Sequence, residues 1–221
     1  MIPDPTVFLV DVDNTLLDND RVTADLGRHL ERELGTASRD RYWAILGELS
    51  EQVGYRDYLG ALQRFRIEHP MDIHLLGMSS FLIDYPFANR LYPGSLDALE
   101  RFNSLGRAVI LSDGDVVFQP RKIERSGIRA AVDNNVLIYI HKELELADVE
   151  RRYPARHYVL VDDKPRILAA IKRSWGDRVT TIFPRQGHYA RDAASYPPAD
   201  LTVERIGELV DYDLEALLDG K

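Results

Sequence analysis

A doubly wound α/β fold, with a parallel sheet and an inserted block of helices, is predicted by three observations. Short apolar runs recur along the chain at Thr6–Val12, Arg107–Leu111, Val136–Ile140, His157–Val161 and Val179–Phe183. Helical periods lie between the later runs. One long stretch, 18–90, carries helical periods and no strand pattern. Continuous runs rich in β-branched residues read as strands buried on both faces, as in parallel sheets. Their alternation with helices argues for the doubly wound arrangement.

Taken in order, Thr6–Val12 is the first strand. Residues 18–90 then show helical periods at Val22–Leu34, Asp40–Val53, Tyr55–Glu68 and Met71–Ile83, with breaks near Gly35-Thr36, Gly54 and Pro70. The expected division is a helical cap at 18–90 and a core made of 1–17 and 91–221. An insertion directly after the first strand would cover the C-terminal edge of the sheet, where open α/β sheets bind ligands. After Pro93-Gly94, Ser95–Leu105 places Leu96, Leu99, Phe102 and Leu105 on one helical face. Pro165–Trp175 opens with proline, favoured in a first helical turn, and carries Ile167, Leu168 and Ile171. The segment 186–200 reads as a loop and Val203–Leu209 as a last helix.

Composition narrows the functional classes. The 221 residues are 45% hydrophobic and 29% charged, an ordinary globular balance. With no cysteine, disulfides, thiolate metal sites and cysteine nucleophiles are excluded. A net charge of −8 argues against nucleic-acid or anionic-membrane partners. No stretch approaches the roughly 18 apolar residues of a membrane span. The first apolar run, Val7–Val10, stops at Asp11, short of a signal-peptide core. A cytoplasmic protein is expected.

The chemistry-bearing residues fall just after the apolar runs. Asp11-Val12-Asp13-Asn14-Thr15 places two carboxylates two positions apart beyond a buried strand. Such charges are costly to bury unless a cation or ligand meets them. One reading makes Asp11 a nucleophile and Asp13 a general acid/base; the other is a solvated strand end with a turn. Leu111-Ser112-Asp113-Gly114 offers a hydroxyl and free N–H groups, either an anion cradle or a common turn. Lys142 follows the third run and is either a site lysine or a surface one. Asp162-Asp163 stands between the fourth run and the Pro165 helix. An N-cap explains one of these acids; paired hard oxygen ligands suit magnesium.

Parallel strands present their C-terminal ends on one edge, so these segments converge. Asp11, Asp13, Asp162 and Asp163 bring about −4 and a phosphate monoester about −2, against about +3 from Lys142 and one divalent ion. Oriented N–H groups, a protonated Asp13 or water would supply the rest.

The ordered set Asp11-x-Asp13-x-Thr15, Ser112, Lys142, Asp162-Asp163, with gaps of 97, 30 and 20 residues, resembles the haloacid dehalogenase (HAD)-like hydrolases that carry a helical cap. Tyr92-Pro93-Gly94-Ser95-Leu96 resembles the return from such a cap, and the likeness spans roughly residues 6–185. The resemblance implies a Rossmann-like core and a magnesium-dependent reaction on a small phosphorylated metabolite. In it, Asp11 is nucleophile and metal ligand. Asp13 is acid/base, with its carbonyl on the metal. Ser112 and Lys142 hold the phosphate, Lys142 also bridging the nucleophile. Asp162 and Asp163 complete the magnesium site. Thr15, Asp113 and Gly114 join Ser112 and Lys142 as expected substrate contacts, although acids at Asp113 and Asp115 sit uneasily near phosphate and are expected to point away or meet a cap group. Lys164 is a second lysine without an assigned role.

Within that family, members that release halide from 2-haloacids lack an acid/base aspartate at the Asp13 position. An alkoxide leaving group needs a proton, so Asp13 points to phosphate-ester hydrolysis. A phosphomutase or phosphotransferase is the alternative; a dehalogenase or a non-catalytic binding protein is disfavoured. Specificity is expected from cap residues such as Asn19, Asp20, Tyr55, Arg56, Tyr58, Tyr85, Asn89 and Arg90. Gln186-Gly187-His188-Tyr189 either borders the pocket or is a surface loop. His69, His74 and His141 lack metal-ligand spacing.

Overall fold

The computed structural model describes residues 4–218, the side chains of 192–194 apart. The first strand, β1 (Asp4–Val10), has Val7 to Val10 wholly buried. The insertion that follows holds α1 (Asn19–Leu34), α2 (Thr36–Val53), α3 (Tyr58–Glu68) and α4 (Leu75–Asp84). Asp18 caps α1 by accepting the Arg21 N–H at 2.8 Å, and Asp57 caps α3 by accepting the Gly60 N–H at 2.7 Å. Both caps explain why these helices start where they do.

The chain then alternates through α5 (Ser95–Leu105), β2 (Arg107–Asp113), α6 (Phe118–Arg125), α7 (Ile128–Ala131), β3 (Val136–Tyr139), α8 (Leu146–Arg152), β4 (Ala155–Val161), α9 (Pro165–Trp175) and β5 (Val179–Pro184). A sixth strand, β6 (Leu201–Val203), and a short α10 (Leu214–Leu218) complete it. The sheet is six-stranded in the order β3-β2-β1-β4-β5-β6, with every pairing parallel.

Side-chain alternation sends each strand into two cores. Phe8 and Val10 of β1 join Ile110, Val159 and Ile182 on one face; Val7 and Leu9 join Val109, Leu111, Leu160 and Ile171 on the other. The first cluster continues through Val22, Leu26, Tyr42 and Phe65, so the inserted helices share apolar packing with the sheet. β1 lies between β2 and β4, and the strand order reverses direction there, opening a crevice at the C-terminal ends.

Several details differ from the sequence expectation, among them a 3-10 helix, His188–Ser195, inside the expected loop 186–200. β1 ends at Val10, and residues 11–17 form a turn instead, with Leu16 and Leu17 N–H groups bonded to the Val12 carbonyl at 2.9 Å. The expected helix Val203–Leu209 is instead β6 followed by a 3-10 turn, Ile206–Val210. Asp200 causes this: its carboxylate accepts the Thr181 N–H at 2.8 Å and its own N–H meets Thr181 Oγ1 at 3.0 Å, pinning the segment to the sheet edge. Residues 118–125, left without an element by the sequence reading, form α6. No helix among the described residues is long and apolar enough to cross a membrane.

Candidate active site

The turn after β1, the end of β2, the loop after β3 and the end of β4 meet at the crevice. Asp11, at the close of β1, is 2% exposed, and its N–H still bonds the Val161 carbonyl at 2.9 Å, so the sheet ladder aims it. Lys142 is fully buried; its ammonium pairs with Asp11 Oδ1, lies 2.6 Å from Asp162 Oδ2 and donates to the Leu111 carbonyl at 3.1 Å. Burial disfavours that ammonium, but Asp11, Asp162 and Asp113 outweigh it and hold its pKa above the ordinary lysine value.

Thr15 ties the acids together. Its hydroxyl donates to Asp11 Oδ2 at 3.3 Å and accepts the Asp163 N–H at 3.0 Å. That engagement turns Thr15 toward the acids; like Asp11, Ser112, Lys142, Asp162 and Asp163 it is not among the residues that line the cavity, which Asp13, Asp113 and Gly114 reach. Asp11, Asp162 and Asp163 each offer an oxygen within 4.8 Å of the others. Both Asp163 carboxylate oxygens are buried without a hydrogen-bond donor. Burial is the main cause that pushes Asp162 up to about 6, with Lys142 opposing and Asp11 adding to it. Asp163 is driven well above the carboxylate range by burial and by the Asp11 and Asp162 charges. Orphaned carboxylate oxygens packed this closely fit a hard divalent cation such as magnesium.

Asp13 stands apart from the three acids. Its side chain is 26% exposed, faces the cavity and pairs with Lys122 Nζ at 2.6 Å. Ser112 is buried, and its hydroxyl accepts from Gln119 Nε2 at 2.9 Å. Asp113 accepts the Lys142 N–H at 2.8 Å and lies 3.8 Å from Lys164 Nζ, so its charge anchors the lysine loop. Asp115 accepts the N–H groups of Val117 and Phe118 at 2.7 and 2.6 Å and caps α6. Gly114 lines the cavity.

The cavity measures about 350 Å³ and is bordered on the inserted-helix side by Asn19, Tyr55, Arg56 and Tyr58, and on the core side by His141, Lys164 and His188. Gly54 closes the insertion over the core: at φ 84°, a Cβ there would stand 2.6 Å from His141 Nε2. Tyr85 and Arg90 meet Asp25 instead of the cavity, with Arg90 Nη2 2.7 Å from Asp25 Oδ2. The 186–189 segment is built into the site. Gln186 is 7% exposed and donates to the Thr15 carbonyl at 3.0 Å, and His188 Nδ1 lies 2.7 Å from Asp20 Oδ1.

Sequence reasoning missed Gln119 and Lys122, and left Gln186 between a pocket border and a surface loop. The first two had a signal, since Phe118, Gln119, Lys122 and Ile123 share helical spacing with Pro120 near the start.

No family model matches the chain, and no curated protein matches it. Among solved structures, a protein of Burkholderia xenovorans LB400 described as a haloacid dehalogenase-like hydrolase is 63% identical over 96% of this chain and 100% of its own, with a TM-score of 0.90. A HAD-hydrolase of Bacillus subtilis bound to magnesium is 14% identical over 97% of this chain and 99% of its own, with a TM-score of 0.61. The L-2-haloacid dehalogenase of Xanthobacter autotrophicus is 16% identical over 93% and 97%, with a TM-score of 0.60. The last two share the fold alone. The first, alike over its whole length, shows that this chain belongs to the haloacid dehalogenase-like hydrolases.

Proposed function

We propose that this hydrolase is a magnesium-dependent phosphatase acting on a small phosphorylated metabolite through an aspartyl-phosphate intermediate. One observation carries the reading. Asp11 is buried between the Lys142 ammonium and the donor-free Asp163 carboxylate, while Asp13, two residues on, opens to the cavity. A nucleophile paired with a lysine beside acids that would hold a divalent cation, and an acid facing the leaving group, are the parts that phosphate-ester hydrolysis requires.

In the first step an Asp11 oxygen attacks phosphorus. The ester P–O bond breaks, and the departing alkoxide takes the proton carried by Asp13. In the second step Asp13 removes a proton from water, whose oxygen attacks the same phosphorus, releasing inorganic phosphate and restoring Asp11. Lys142 neutralises charge on Asp11 and the phosphoryl oxygens, and Ser112 donates to one of them. Asp11, Asp162, Asp163 and the Asp13 carbonyl would hold magnesium, which when bound offsets phosphoryl charge. The inserted helices serve as the cap, and a cavity of about 350 Å³ suits a small metabolite better than a folded macromolecule. Asp13 argues against halide release, which needs no acid.

The test is p-nitrophenyl phosphate hydrolysis with and without magnesium, followed by a screen of phosphorylated metabolites with Asp11→Asn as control. Magnesium-dependent phosphate release lost in that variant is expected. Activity that survives in Asp11→Asn, or release of halide from 2-haloacids in place of phosphate, would overturn the reading.

A further inference from the structure

Lys122 is a buried cation at the edge of the cavity, which it lines with Asp13, Asn19 and Gln119. It sits on the inner face of α6 beside Phe118 and Ile123, is 1% exposed, and has its ammonium 5.2 Å from the centre of the Phe118 ring. A leucine or methionine would fill the position without the desolvation that a buried ammonium carries. Asp13 does not need the lysine to be tolerated, because its carboxylate borders the cavity and reaches water. The ammonium nevertheless spends its contacts on two acceptors, Asp13 Oδ1 at 2.6 Å and Asn19 Oδ1 at 3.0 Å.

The same helix reaches the other oxygen. Gln119 Nε2 stands 3.5 Å from Asp13 Oδ2 while donating to Ser112 Oγ at 2.9 Å. One turn of α6 therefore fixes both oxygens of Asp13 against the Ser112 hydroxyl. Asn19 is the first residue of α1, the root of the inserted helices. Lys122 thus links the Asp13 carboxylate to the point where the insertion leaves the core.

We infer that Lys122 is a positioning residue that fixes the rotamer of Asp13 toward the leaving oxygen and registers it against the root of the insertion through Asn19. The inference rests on the acid/base reading of Asp13 given above. It acts on orientation: a carboxyl group free to swing away loses proton transfer first for leaving groups that depend on it.

Leaving-group dependence tests this. Steady-state kcat and KM for p-nitrophenyl phosphate, a good leaving group, and phenyl phosphate, a poor one, are compared in the magnesium-loaded wild type, Lys122→Met, Lys122→Arg and Asp13→Asn. Lys122→Met is expected to lower kcat/KM, which stops at departure of the alcohol and leaves out the shared hydrolysis of the aspartyl phosphate, about tenfold more for phenyl phosphate than for p-nitrophenyl phosphate; all losses below are read on that ratio. Lys122→Arg should recover most of the difference. Equal losses on both esters in Lys122→Met, with a differential loss in Asp13→Asn, overturn the inference and leave the acid role standing. Equal losses in Asp13→Asn overturn the acid role itself, and the inference with it. If Lys122→Met does not fold, Asn19→Ala must show a smaller differential of the same sign; equal losses there overturn the inference.

Discussion

The Lys142 ammonium lies 2.6 Å from Asp162 and also pairs with Asp11, so one buried cation holds two carboxylates from strands that meet at the sheet centre. Removing it leaves those charges, and Asp163 beside them, uncompensated. Lys142→Met should cost about 3–5 kcal/mol in a urea melt of the chelator-treated protein. Added magnesium should restore part of that loss. An unchanged urea midpoint would mean that the acids are neutral without the lysine.

Protons and a divalent cation compete for the same oxygens. The folded-state pKa of Asp162 is raised from 3.8 to about 6 by burial, so the folded chain holds protons that the unfolded chain has lost across that window. In chelator-treated protein this contribution makes stability fall as pH rises from about 4 to about 6. Magnesium should therefore raise the melting temperature more at pH 7.5 than at pH 5. Calorimetry at both pH values, with magnesium and with chelator, checks it; a larger increment at the lower pH contradicts it.

Asp25 on α1 receives the Tyr85 hydroxyl and the Arg90 guanidinium, closing the insertion on itself. Burial pushes the Asp25 pKa up, but those two donors outweigh it and leave it below 3.8. Its contribution is present above pH 4 and is lost as pH falls through the lowered value. Tyr85 is raised to about 12, chiefly by burial and then by Asp25, so its contribution is complete below pH 10 and lost on the way to 12. Asp25→Asn should flatten the acid limb of the stability curve. A wild-type acid limb in that variant would remove the network from the account.

Gly187 has φ 66°, and a Cβ there would stand 2.5 Å from the Cβ of Asn14, itself at φ 60°. Two left-handed residues in contact leave no room for a side chain. Gly187→Ala should lose about 1–3 kcal/mol of stability. It should also lower turnover by displacing the Asp11–Thr15 turn. A variant with full activity and an unshifted melting point would show that the 186–189 loop gives way freely.

Much of this architecture was legible in the sequence. Val7–Val10, Val109–Leu111 and Val159–Val161 announce themselves by unbroken apolar runs, and each stops at the residue that carries chemistry. Asp11, Ser112, Lys142 and Asp162-Asp163 could be gathered because parallel strands share an edge. What escaped depended on tertiary pairing. A lysine on a helix defaults to solvent, and only the fold brings Asp13 across 109 residues to Lys122. β6 is three residues long and exists because Asp200 engages Thr181, a contact no local period encodes. Thr15 resembled a phosphate contact by motif, whereas its hydroxyl is committed to Asp11 and Asp163.

The strand order has a further consequence during synthesis. β1 is flanked by β2 and β4, so β1 waits for residue 155 to emerge before its second neighbour exists. Until then Asp11 has no Asp162 or Asp163 beside it, and Gln186 has yet to brace the turn through Thr15. The nascent chain thus holds the Asp11 cluster unfinished until residue 186 has emerged.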